Sequence, residues 1–325
     1  MTDERSNIGN ILAKTIPFLA GKGIINPRLE ADLLLAKILG LPRVKLYSQW
    51  DRELTPAELE NYREIIRKRI QGWPNAYLTG KKAFLSWEFD VTPAVLIPRP
   101  ETELLVEVVV GWVNQQPQNR PQEGFFPQPG QSGESEALNL SEEQTQPTVQ
   151  NPPELRGLDV GTGSGIIAIS LAKLLPQSVW DAVDISEAAL EIARQNADKL
   201  KVAGRIRFQS GNLMEPYNSE ALNRQFDLIV ANLPYVPTAE TGSLSAEVQK
   251  EPLQALDGGP DGLELYRKLL PQAVPLLANN GIIALEHGHD QRLPLEEMAA
   301  GLGLSCTSFA DLSGYDRVLL CQRKK

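Results

Sequence analysis

An α/β architecture, with a parallel sheet covered by helices on both faces, is predicted for the larger part of this chain, behind a small helical domain. Three observations predict it. From residue 155 onward, short apolar runs alternate with stretches of helical length. The first of these runs ends in a glycine-rich turn, Gly161-Thr162-Gly163-Ser164-Gly165. Residues 1–75, by contrast, space their apolar side chains by three and four.

Within 1–75, Ile8, Ile11, Leu12, Ile16 and Leu19 mark one helix that stops at Gly21 and Gly23. Leu29, Leu33, Leu34, Ile38 and Leu39 mark a second, between Pro27 and Gly40-Leu41-Pro42. A third opens with Thr55 as N-cap and Pro56 at the first helical position, and turns Leu59, Ile65, Ile66 and Ile70 inward. So small a bundle is expected to lean on the rest of the chain for stability. Residues 76–100 read as a β-hairpin linker, with Phe84, Trp87, Phe89, Val91, Val95 and Ile97 among turn formers, and a helix follows from about Glu101 through Val109. Residues 114–153 are dominated by Gln, Pro, Glu, Ser and Gly, hold no Lys, and carry Arg120 as their one Arg. Such a stretch buries too little apolar surface to offset its ordering entropy, so it is expected to be a disordered insertion inside a 101–325 domain. Strands are expected at 155–160, 179–183, 206–209, 226–231 and 282–286, with helices at 165–175, 187–200 and 262–277. A closing hairpin is expected at 306–309 and 317–322.

Composition excludes several classes. The 325 residues are 42% hydrophobic and 22% charged, with a net charge of −9. Residues 1–75 hold 12 basic and 9 acidic side chains, so the remainder is strongly acidic. An acidic body argues against direct, phosphate-driven binding to nucleic acid. No apolar stretch approaches the roughly 20 residues of a membrane span, and the polar N-terminus does not read as a secretory signal. Cys306 and Cys321 are too few for a disulfide scaffold or a cysteine zinc site, which points to a reducing, cytoplasmic setting and to ordinary hairpin residues.

The glycine turn joins a strand to a helix, where glycines allow a ligand to approach the backbone closely. A dinucleotide site would show G-x-G-x-x-G; here the third glycine comes one residue early. Asp184 ends the next strand, placed to accept hydrogen bonds from two ribose hydroxyls. The short spacing, with no pyrophosphate to cradle, favours S-adenosyl-L-methionine over NAD. Asn212 and Leu213, at the tip of the third strand, are expected at the adenine, although a turn asparagine reads equally well from that residue alone.

Asn232-Leu233-Pro234-Tyr235 follows the fourth strand, beside the expected cofactor. An amide or aromatic amino nitrogen is a poor nucleophile because its lone pair is delocalised. Two fixed acceptors, the Asn232 side-chain oxygen and the Leu233 carbonyl, would each take an N–H and aim the lone pair at a methyl group. Pro234 would stiffen the loop and Tyr235 would stack on the planar acceptor group. Placement and preorganisation would supply the catalysis without a strong base. Glu286-His287-Gly288-His289 holds both histidines of the chain, too few and too close for a metal site.

In this order the motifs resemble the bacterial release-factor glutamine methyltransferases, the PrmC/HemK family. The resemblance is carried by Asn75-Ala76-Tyr77-Leu78-Thr79-Gly80, the glycine loop, Asp184, Asn232 to Tyr235, Glu251-Pro252, Asp261-Gly262-Leu263, Glu286-His287-Gly288 and Asp316-Arg317. Its most specific element is Ile97-Pro98-Arg99-Pro100-Glu101-Thr102-Glu103, which generic methyltransferases lack. It implies a seven-stranded Rossmann-like class I methyltransferase domain behind a helical substrate-recognition domain. The implied reaction is methyl transfer from S-adenosylmethionine to the side-chain amide of the glutamine in the Gly-Gly-Gln loop of class 1 peptide chain release factors. Gly161 to Gly165, Asp184, Asn212 and Leu213 would then hold the cofactor, and Asn232 to Tyr235 the glutamine. Two positions depart from the family pattern: Leu233 stands where proline is usual, and Asn212 where aspartate is. The tetrapeptide by itself looks like that of the ribosomal RNA adenine dimethylases, so adenine-N6 methylation of RNA or DNA is the alternative.

Overall fold

The computed structural model describes residues 6–116, 155–217 and 225–324. The expected insertion at 114–153 lies outside the described residues from 117 onward; its first three positions lie within them, and 114 and 115 end a helix.

Five helices open the chain: α1 (Ile8–Gly21), α2 (Pro27–Leu39), α3 (Arg43–Ser48), α4 (Pro56–Ile70) and α5 (Asn75–Thr79). The Asn7 side chain caps α1 by accepting from the Asn10 N–H at 2.8 Å. At α4, Thr55 and Glu58 form a reciprocal capping box. The apolar faces meet in one core containing Ile8, Leu12, Leu34, Leu35, Leu46 and Ile66. The short helices α3 and α5 were not expected. The predicted linker hairpin is confined to β1 (Lys81–Phe84) and β2 (Trp87–Asp90). Val91, Val95 and Ile97 instead belong to an irregular segment packed on the sheet domain, where Val91 and Val95 contact Ala189.

After α6 (Pro100–Gln115), a seven-stranded sheet is built from β3 (Leu155–Val160), β4 (Ser178–Asp184), β5 (Ile206–Ser210), β6 (Phe226–Ala231), β7 (Leu277–Glu286), β8 (Leu304–Ala310) and β9 (Asp316–Arg323). The strand order is β5-β4-β3-β6-β7-β9-β8. The first five run parallel, while β9 is antiparallel to β7 and β8 to β9. The sheet is therefore mixed, because the terminal hairpin closes one edge. Between the strands lie α7 (Ile166–Leu174), α8 (Glu187–Lys199), α9 (Glu264–Leu276) and α10 (Arg292–Gly301).

Side-chain alternation sends each strand into two cores. On β6, Leu228 and Val230 join α6, α7 and the hairpin residues Phe84 and Phe89. Ile229 and Ala231 join Tyr266, Leu269 and Ala273 of α9. Gly157 on β3 lies flat beneath Trp180 of β4, which leaves no room for a Cβ. Cys306 and Cys321, expected as ordinary hairpin residues, stand directly opposite each other on β8 and β9, near enough to pair as a disulfide.

The helical and sheet parts are tied at several points. Arg69 of α4, 3% exposed, donates to Glu30 of α2 and to Glu247 of the sheet part, both at 2.7 Å. Asn196 of α8 bonds both the N–H and the carbonyl of Asp90 on β2. Buried Glu251 accepts from the Ile97 N–H at 2.9 Å and from the Arg99 guanidinium. These contacts press residues 94–99 against the carboxyl ends of the parallel strands, where the chain order reverses between β4 and β6 on either side of β3. A crevice at such a switch point is where open α/β sheets bind ligands.

Candidate active site

A cavity of about 610 Å³ occupies that crevice, within the usual range for small-molecule sites. Gly161, Thr162, Gly163, Ser164, Asp184, Asn212, Leu213, Asn232, Leu233 and Pro234 line it. The strand tips after β3, β4, β5 and β6 thus converge on one space. Gly165 and Tyr235, grouped with them from sequence, do not line it.

The glycine loop is built for close approach. Gly161 has φ +74°, and a Cβ there would come within 2.9 Å of Leu233 Cδ2. Gly163 has φ +55° with open space where a side chain would stand. Gly165, at φ +82°, is the N-cap of α7; a Cβ would strike Ile169 and Ala193. Its task is to bring α7 close to α8, which is why it stands behind the cavity wall. Below the loop, Asp159 is fully buried and holds Thr162 Oγ1 at 2.7 Å and the Ala168 N–H at 3.1 Å. Burial pushes its carboxyl up to about 7.

Asp184 accepts from the Gly163 N–H through Oδ2 at 2.8 Å and from the Ser186 N–H through Oδ1 at 2.9 Å. The Ile185 N–H also faces this carboxylate, and each of its oxygens has two lone-pair sites, so acceptor capacity remains for a ribose diol. Burial raises the Asp184 pKa while these N–H bonds hold it down. Asn212 is exposed at the cavity edge, its N–H bonded to Glu215, and Leu213 is held at φ +53°. The glycine cradle, the acid at the cavity edge and the apolar lining fit S-adenosylmethionine.

At the end of β6, Asn232 Nδ2 donates to Thr102 Oγ1 at 3.1 Å, which turns the amide oxygen away from that contact as the atom left for a ligand. The Leu233 carbonyl, expected as the second acceptor, already has a neighbour. The hydroxyl of fully buried Tyr266 lies 3.2 Å from it and 2.5 Å from the Glu286 carbonyl. Tyr235 stands just behind the cavity lining. Its carbonyl accepts from Gln291 Nε2 at 2.9 Å, and its ring packs against the α9 core. Burial and the nearby Glu286 push its phenol up to about 12.

Sequence reasoning missed four residues here. Thr102, 1% exposed, and Arg99 line the cavity; Glu251 anchors the segment that forms its wall. Glu286, 1% exposed, had been weighed only as a metal ligand. It lies instead against Thr102 and Asn232, whose hydrogen bonds oppose the burial that pushes its carboxyl up to about 7. The signal was present only as membership in quoted motifs, because no spacing along the chain joins positions 102, 232 and 286.

Comparison with known proteins agrees with this architecture. Residues 10–80 match the family model of the PrmC N-terminal domain, and residues 152–310 match that of a methyltransferase domain. The release factor glutamine methyltransferase of Moorella thermoacetica is 39% identical over 316 residues, spanning 97% of this chain and 98% of that protein. The protein of the same name from Chlorobaculum tepidum is 36% identical, over 97% of each chain. Among solved structures, the hMettl16 catalytic domain in complex with a MAT2A 3'UTR hairpin shares the fold with a TM-score of 0.50, at 15% identity over 73% of this chain and 76% of that one. Identity of this extent, across both the helical part and the sheet, shows that the chain belongs to the release factor glutamine methyltransferase family.

Proposed function

We propose that this protein methylates the side-chain amide nitrogen of the glutamine in the Gly-Gly-Gln loop of class 1 peptide chain release factors. The observation that carries this reading is the orientation of Asn232, whose Nδ2 is committed to Thr102 while the residue lines the cavity beside the glycine loop. S-adenosylmethionine, when bound, supplies an electrophilic methyl group. The chain's own residues do the rest. Gly161 to Ser164, Asp184, Asn212 and Leu213 hold the donor. The Asn232 oxygen accepts one N–H of the incoming carboxamide and the Leu233 carbonyl the other, sharing its second lone pair with Tyr266. With both hydrogens held, the nitrogen lone pair points along the line of transfer, and the nitrogen's surplus proton leaves for solvent after the new bond forms. Apolar walls from Val95, Leu96 and Leu213 exclude competing water. Tyr235 braces the loop through its carbonyl.

In this reading residues 1–75 form the substrate-recognition domain, 76–100 the linker and 101–325 the methyltransferase domain. The compartment is the cytoplasm, where release factors act; no helix among the described residues is long and apolar enough to cross a membrane. The test is mass spectrometry of the Gly-Gly-Gln peptide after incubation with release factor and cofactor, in parallel with ribosomal RNA. One added methyl on the glutamine is expected. Label on adenine alone would favour the alternative that the tetrapeptide by itself suggests.

A further inference from the structure

Thr102, Asn232 and Glu286 come from the first turn of α6, the end of β6 and the end of β7. β6 and β7 are neighbours in the sheet and α6 packs on β7, so the topology brings the three together at the floor of the cavity. Thr102 and Glu286 are each 1% exposed.

Proton accounting fixes how they are connected. A hydroxyl has one hydrogen to give and two lone pairs to accept with. Thr102 Oγ1 accepts from Asn232 Nδ2 at 3.1 Å, so its own hydrogen must go elsewhere. Glu286 lies against both Thr102 and Asn232, and its buried Oε2 has no hydrogen-bond partner among the described residues. Either protonation state of the carboxyl offers an oxygen to the Thr102 hydroxyl or to the second hydrogen of the Asn232 NH2. Both arrangements hold the amide nitrogen on the Thr102 and Glu286 side. An asparagine amide is nearly symmetric in shape, and nothing in its own size distinguishes the oxygen-inward from the nitrogen-inward rotamer. Inward NH2 would present a donor to a substrate that itself brings two N–H groups, and the site would repel it.

Resting on the glutamine-methylation reading, we infer that Thr102 and Glu286 are positioning residues that lock the Asn232 amide with its oxygen toward the methyl acceptor. Neither touches the substrate. They act by removing the wrong amide rotamer.

The test uses the full chain with Thr102→Val, Thr102→Ser, Glu286→Ala and Glu286→Gln. Valine keeps the shape of threonine and deletes the hydroxyl; serine keeps the hydroxyl. Expected results are a fall in kcat of about 10- to 100-fold for Thr102→Val and Glu286→Ala, the scale of a misaligned reacting group. The cofactor Kd by calorimetry should stay within about twofold, because the donor site is untouched. Thr102→Ser should return most of the lost kcat, and Glu286→Gln should fall between wild type and Glu286→Ala because its carbonyl is still an acceptor. Full kcat in Thr102→Val overturns the inference, as does an equal loss in Thr102→Ser, which would indicate packing alone. If Thr102→Val does not fold, the Glu286→Gln and Thr102→Ser arms decide by the same criteria.

Side-chain amide NMR separates this inference from the reading beneath it. The Asn232 NH2 should be a slowly exchanging pair in wild type and should lose protection in Thr102→Val, with no substrate present. Protection without glutamine methylation would keep the lock and sink the reading; methylation without protection would do the reverse.

Discussion

Gly163 donates its backbone N–H to Asp184 Oδ2 at 2.8 Å, which ties the turn after β3 to the tip of β4. The acid therefore shapes the glycine loop as well as meeting the ligand. Asp184→Ala is expected to weaken cofactor binding by about 1.5–3 kcal/mol, the cost of losing a charged acceptor, with the loss read by calorimetry. Asp184→Asn should retain part of the affinity, since its remaining oxygen can still accept from Gly163.

Asn232→Ala should lower kcat by about 10²–10³, the range for removing one preorganised contact to the transition state. Cofactor affinity should change little, because Asp184 and the glycine loop are intact. Single-turnover methylation of a release factor gives the rate, and calorimetry gives the affinity.

Gly161→Ala meets two obstacles. Its φ of +74° is left-handed, which costs an L-residue about 1–2 kcal/mol, and the new methyl group would stand 2.9 Å from Leu233 Cδ2. Leu233 is buried in the core, so Leu233→Ala has its own cost. It removes the second obstacle, however, and the double variant should lose less thermal stability than the sum of the two single changes. Strict additivity of the two changes would show that they do not touch.

The Glu286 carboxyl, raised by burial from 4.5 to about 7, gives a pH dependence of known sign. A raised acid binds its proton more tightly folded than unfolded, so its contribution is present below about pH 4.5 and is lost as pH climbs through 7. Asp159, also raised to about 7, acts in the same direction, while His287, lowered by burial, acts in the opposite one. The Glu286→Gln variant isolates one group. Relative to wild type it should gain stability between pH 5 and 7 by up to about 1.4 kcal/mol per unit and gain nothing further above 8. Denaturant melts at four pH values check this.

Arg69 reaches Glu30 and Glu247 at once from a position 3% exposed. Arg69→Met should destabilise by about 3 kcal/mol, because it leaves two carboxylates without their cation. Glu247→Gln should cost well under 1 kcal/mol, since Glu247 is 45% exposed and Arg69 keeps Glu30. Urea denaturation of the two variants gives the comparison.

What the sequence made legible was local. Thr55 as the N-cap and Pro56 at the first helical position could be read directly, and the structure adds Glu58 as the reciprocal partner. So could the glycine loop with Asp184, because a strand, a tight turn and a strand-end acid occur in fixed order. The α10 helix was hidden by its short length of 10 residues and by the lack of a capping side chain at Gln291. The short α3, between Pro42 and Trp50, offers too few positions for a period to show. The site was half legible: Asn232 was found from its chemistry, while Thr102, which orients it, is 130 residues away and depends on how α6 meets the sheet. The hydroxyl of Tyr266 beside the Leu233 carbonyl was not legible, because the two are 33 residues apart and meet only where α9 packs on the sheet. Likewise, Cys306 and Cys321 were placed on the same hairpin, but their register was not readable.

One feature of α6 bears on how the protein can be handled. The helix begins at the cavity wall and has 16 residues, so its far end is about 24 Å away. β3 likewise starts at Leu155 from the amino end of the sheet. A dye or an affinity tag attached at Gln115, the last residue of α6, would therefore stand a full helix length from the crevice and leave the donor pocket open.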